Sequence, residues 1–124
     1  MVMASDKDAP RAEEFTSDSR LRTSSEFQAV FRLRRSAANE SLIVYAAPNL
    51  KGRRRLGLSV SRKVGNAVVR NRWKRLIREA FRQQRALFPD EMDYVVVPRR
   101  GAKPSASSVI ASFPMLANLA GNST

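Results

Sequence analysis

One helical pattern constrains this chain more than any other feature. From roughly Val68 to Leu87, Val69, Trp73, Leu76, Ile77 and Ala80 fall on one side of an α-helix. Asn71, Lys74, Arg75, Arg78, Arg82 and Arg85 fall on the other. Pro89 stops the pattern. A helix with one apolar stripe needs a surface to lie on. The flanking sequence supplies strands for that surface.

Leu56 to Ser61 alternates cleanly, with Leu56, Leu58 and Val60 inward and Gly57, Ser59 and Ser61 outward. Ser41 to Ala47 is a second strand, with Leu42, Val44 and Ala46 on one face and Ile43, Tyr45 and Ala47 on the other. Pro48, Asn49 and Gly52 mark a turn decorated by Arg53 to Arg55, so these two strands are expected to pair as a hairpin. Tyr94 to Pro98 is a short apolar strand after the long helix, placed to pair in parallel with an earlier one. Thr23 and Glu26 form a capping box for a helix ending near Arg34, which puts Phe27 and Phe31 on one face. Ser105 to Leu119 suits a last helix, which Pro114 is expected to kink or split. The order is helix, two or three strands, helix, strand, helix. It predicts an α+β sandwich with the helices on one face of a small sheet.

The chain has 124 residues, enough for one domain, expected over residues 20–120. Residues 1–19 are polar and mixed in charge and read as a disordered tail. Residues 121–124 form a short C-terminal tail.

Charge is concentrated. The formal net charge is +12, and residues 51–85 hold 13 Lys/Arg against one acid, Glu79. All the net charge therefore sits in that segment. A phosphate backbone rewards such concentration through counterion release, which makes nucleic acid the expected partner. An anionic membrane, an acidic protein or a merely solubilising surface explains it less well, because solubilising surfaces mix signs.

Other chemistry is disfavoured. Cysteine and histidine are both absent, which removes thiol nucleophiles, zinc thiolates and the commonest general base. The basic segment has too few carboxylates to hold the ions of a metal-dependent nuclease. No apolar run is long enough to span a membrane, and no signal pattern opens the chain, so a cytoplasmic location is expected. A catalyst for RNA cleavage would have to come from elsewhere.

Candidate binding residues follow from the same pattern. Arg70, Asn71 and Arg72 open the long helix, where orphan N–H groups attract phosphate and arginine forks bind it bidentately. Gly65 and Asn66 precede it in the loop Arg62 to Ala67. Phe27, Phe31 and Tyr45 offer faces on which bases could stack. At helical spacing, however, Phe27 and Phe31 suit a core better.

The run LGLSVSRKVGNAVVRNRWKRLIREAFR, Leu56 to Arg82, resembles the protein subunit of bacterial ribonuclease P. The similarity extends to Ser24–Phe31, Leu42–Tyr45 and Asp93–Arg99, and covers roughly Arg20 to Lys103. It implies three helices and a mixed sheet of about four strands, with a left-handed βαβ crossover (the ribosomal protein S5 domain 2-like fold) against the usual right-handed preference. It implies a protein that joins a catalytic RNA and binds the 5′ leader of precursor tRNA. The RNA, with Mg²⁺, performs the hydrolysis. Carried over by position, the leader cleft comprises Phe27, Phe31, Ile43, Tyr45, Ser59 and Ser61. The basic helix and loop contribute Arg62, Lys63, Asn66, Arg70, Asn71, Arg72, Lys74, Arg75, Arg78 and Arg82. The resemblance moves the aromatics from core to cleft. It finds no counterpart for residues 1–19 and matches the segment around Pro114 poorly.

Three other readings compete. A ribosomal or RNA-chaperone protein explains charge and fold but not the ordered central run. A DNA-binding module would use the basic helix in a major groove, but the aromatics lie on a separate element. A stand-alone nuclease lacks ligands.

Overall fold

A computed structural model describes residues 19–122. The elements in chain order are α1 (Ser24–Leu33), β1 (Ser36–Ala38), β2 (Leu42–Pro48), β3 (Arg55–Leu58), α2 (Ala67–Gln83), β4 (Met92–Pro98) and α3 (Ala106–Gly121). Single 3₁₀ turns at Arg62–Val64 and Arg85–Leu87 flank α2. Residues 1–18, nearly all of the expected tail, lie outside the described residues. Ser19 is buried.

The four strands form one mixed sheet in the order β1-β2-β4-β3. β2 pairs antiparallel with β1 and β4, and β3 pairs in parallel with β4. The expected hairpin between β2 and β3 does not form, because β4 lies between them. The physical reason is in β4 itself. Tyr94, Val95 and Val96 are fully buried, so this strand takes the centre, where both faces are covered. β3, with Gly57 at its middle and serines after it, takes an edge. β3, α2 and β4 make the parallel crossover unit.

The helices do not share one face, as the sequence pattern suggested. Leu42, Val44, Ala46, Tyr94 and Val96 form the main core with Trp73, Ile77 and Phe81 of α2 and Phe113 of α3. On the opposite face Val95 and Ala47 pack with Val30 of α1, Leu21 and the rings of Phe27, Phe31 and Tyr45. β2 is apolar on both faces, and a strand of that kind needs cover on both. Phe81 joins the apolar stripe of α2, and its ring lies 5.1 Å from Phe88 and 6.3 Å from Phe113.

α2 begins where Asn66 caps it, its side chain accepting from the Val69 N–H at 3.0 Å. It ends four residues before the expected Leu87. The capping box of α1 is present as expected, with Thr23 accepting from Glu26 N–H and Glu26 accepting from Thr23 N–H. α3 runs through Pro114 without splitting. The Gln84 side chain takes over the carbonyl of Ile110 that the proline cannot serve.

Candidate nucleic-acid interface

Strand register defines a trough. Ser36, Tyr45, Val95 and Gly57 form one transverse row on the α1 face, and Ala38, Ile43 and Val97 form the next. Ser59 extends the second row, since its N–H donates to the Val96 carbonyl at 3.0 Å. α1 packs over the first row. Phe27 lies so close to Gly57 that a Cβ there would meet its ring at 2.7 Å. Phe31 meets Tyr45 edge-on, with ring centroids 4.9 Å apart. Ile43, Val97 and Ser59 in the second row stay half-buried, and Ile43 joins neither apolar cluster. The result is a partly open floor with Phe31 and Tyr45 along one side.

The loop after β3 turns the chain into α2. The Ser61 hydroxyl accepts from the Lys63 N–H at 3.3 Å, which shapes the 3₁₀ turn and leaves Arg62 and Lys63 exposed. Gly65 packs against Val69, where a Cβ would approach Val69 Cγ1 to 2.8 Å. Arg70 folds back, its Nε donating to the Gly65 carbonyl at 3.2 Å. Asn71, Arg72 and Arg75 point outward and are exposed.

Lys74 and Arg78 lie on the flank toward β3. With Arg20, Leu21, Phe27, Leu56 and Leu58 they line a pocket of about 160 Å³. Lys74 and Arg78 of α2 therefore approach the Phe27 end of the trough. Partial burial, and then the charge of Arg20, hold the Arg78 pKa below its usual value. An incoming phosphate would offset the repulsion between these two cations.

Not every predicted residue is equally available. Asn66 spends its side-chain oxygen on the helix cap. Arg82 is engaged by Glu79, with Nη2–Oε2 at 2.6 Å one turn away. Arg55, counted in the basic segment, is internal. It grips Asp93 with two bonds of 2.8 Å and reaches Glu26 at 3.1 Å. The Asp93 hydrogen bond, opposed by burial, raises the Arg55 pKa. Asn49 completes this network, its Nδ2 donating to Asp93 at 2.7 Å. Sequence reasoning missed it, although an aspartate opening an apolar strand was a signal. It also missed Arg20, which reaches the pocket through a parallel bridge to Leu56.

A family model described as Ribonuclease P matches residues 15–118. The chain belongs to the ribonuclease P protein family. Among curated relatives, the ribonuclease P protein component of Bacillus pumilus is 47% identical over 67% of this chain and 71% of its own length. That of Shouchella clausii is 40% identical over 85% and 93%. A solved structure of the Staphylococcus aureus RNase P protein superposes with a TM-score of 0.74 at 32% identity, covering 86% of this chain and 98% of the other. The Thermotoga maritima RNase P protein gives 0.61 at 35% identity, over 76% and 79%. The two solved structures are similar to this chain in fold as well as sequence. In this ribonuclease P protein the trough and the basic helix flank share Phe27, so they form one continuous surface. Residues 1–14 fall outside the family match.

Proposed function

We propose that this protein acts as the protein component of ribonuclease P, binding the catalytic RNA through α2 and its preceding loop and the 5′ leader of precursor tRNA in the trough. The observation that carries this reading is the continuity of the two surfaces. Phe27 of α1 lies beside Lys74 and Arg78, and Phe31 and Tyr45 pack on the same sheet face as Phe27, so one extended strand can stack its bases and pair its phosphates. Arg62, Lys63, Arg70, Asn71, Arg72 and Arg75 lie further along and face the catalytic RNA. Ile43, Ser59 and Ser61 belong to the leader side.

The protein's part is to bind and position RNA. Hydrolysis belongs to the RNA subunit, and Mg²⁺ is proposed as that subunit's cofactor. The described residues offer no ligand set that fits a metal ion. No cluster of three or more His, Cys, Asp or Glu occurs among the described residues, and Arg55 occupies the carboxylates of Glu26 and Asp93. The proposed location is the cytoplasm. No described helix is long and apolar enough to cross a membrane.

The test adds purified protein to a bacterial ribonuclease P RNA and precursor tRNA. Multiple-turnover cleavage at low Mg²⁺ should rise. An unchanged rate, with no binding to either RNA, would exclude this reading.

A further inference from the structure

Residues 1–18 carry five of the eleven acids of the chain, Asp6, Asp8, Glu13, Glu14 and Asp18, against Lys7 and Arg11. They join the fold at a telling place. Leu21 N–H donates to the Leu56 carbonyl at 3.0 Å, which fixes the chain on the β3 edge. Arg20 then lines the same pocket as Lys74 and Arg78. Among the described residues, Arg72, Lys74, Arg75 and Arg78 have no acidic partner. An acidic segment thus enters the fold beside these four cations. Six residues of extended chain reach about 20 Å, so Glu14 can reach cations a full turn away from the entry point.

We propose that the acidic segment 1–18 docks on the basic face of α2 and competes there with RNA. This rests on the proposed role of α2 in RNA binding. Tethering gives the carboxylates a high effective concentration, so weak pairs are populated without a partner. A weakly bound, non-specific RNA has to displace them. A partner that also fills the trough gains enough contact to do so. The arm therefore raises discrimination rather than abolishing binding.

The prediction is read on the full-length protein with two matched pairs of substitutions. Glu13→Gln with Glu14→Gln removes charge from the arm. Glu40→Gln with Glu91→Gln removes the same charge from exposed sites elsewhere. The arm variant should bind a short oligouridylate about threefold or more tighter at ~50 mM salt, with the gain vanishing near ~500 mM. Its backbone amide signals from Asn71 to Arg78 should shift by NMR, and those of the control variant should not. An equal gain from both pairs, or no gain while the native chain binds RNA, would overturn the arm. So would unmoved α2 amides. If no protein binds any RNA, the α2 assignment fails instead, and the amide shifts still decide whether the arm docks.

Discussion

Gln84 donates its side-chain amide to the carbonyl of Ile110 at 3.2 Å, and so ties the end of α2 to the middle of α3. Ile110 lies four residues before Pro114, which has no N–H to close that helical turn. Asn118 adds a second tie, its Nδ2 reaching the Leu87 carbonyl at 2.9 Å. Together these let a proline sit inside a continuous helix. Gln84→Ala should cost about 1 kcal/mol in urea unfolding. In a Pro114→Ala background the cost should shrink, because alanine at that position supplies the missing N–H. Equal costs in both backgrounds would remove the assigned role of Gln84.

Gly57 leaves room for Phe27. A methyl at this position would sit 2.7 Å from the ring and 3.0 Å from Leu21. Gly57→Ala should therefore destabilise by about 1–3 kcal/mol and displace the ring. Leader binding should weaken with it. Thermal unfolding and precursor tRNA titration check the two effects separately.

The Arg55 network makes stability depend on acid. Glu26 accepts from the N–H groups of Arg22 and Thr23 and faces Arg55, and these hold its carboxyl below its ordinary value. A carboxyl depressed in the folded state contributes its stability above its unfolded value and loses it as pH falls through its folded one. Glu79, held down by Arg82, acts in the same direction. Unfolding followed across about pH 5 to 2 should show the loss, and Glu26→Gln should flatten it. Asp93→Asn is more severe. Both Arg55 and Asp93 side chains are nearly buried, at 13% and 10% exposure. Removing the Asp93 charge should cost about 3 kcal/mol at neutral pH, near the low end for a buried pair because Glu26 remains.

Local patterns in the sequence carried most of the elements. The capping box, the α2 stripe and the alternation of β3 each depend on near neighbours, and each appears close to where the spacing put it, although β3 stops at Leu58 rather than Ser61 and α2 at Gln83 rather than Leu87. Strand order was different. Nothing between Ala47 and Leu56 says that a strand beginning at Met92 will come between β2 and β3. Only the competition for a doubly buried position decides it, and Val95 and Val96 win that against Gly57 and Ser59. The position of α1 was likewise hidden in the second apolar face of β2. At the site, residue types were legible from motif and charge. Which cations were already occupied was not, since Arg55 looks like its neighbours until Asp93 and Glu26 are brought to it.

The exposed cations of α2 should act through counterion release. Arg72→Ala and Arg75→Ala should each weaken binding to the catalytic RNA. Each should also reduce the slope of log K against log salt by about 0.7–0.9. Arg55→Ala should instead lower stability and leave the slope unchanged in the protein that remains folded. A lost slope unit for Arg55 would mean that its pairing with Asp93 opens when RNA binds.

The trough assignment rests most directly on Phe31 and Tyr45, whose rings meet at 86°. One ring presents an edge to the other's face, so removing either leaves its partner less constrained. Bases stacked on aromatics are worth about 1–3 kcal/mol each. Phe31→Ala or Tyr45→Ala should weaken precursor tRNA binding by that amount and leave mature tRNA almost unaffected, because only the precursor carries a leader. The folded fraction, followed by circular dichroism, separates this from a loss of α1 packing, since Val30 and Phe27 still anchor the helix. Equal losses for precursor and mature tRNA would move the leader off this floor. The row of Ile43, Val97 and Ser59 gives a gentler probe. Ile43→Ala removes surface from the floor without touching the ring pair, so its effect should follow the same precursor-only pattern at smaller size.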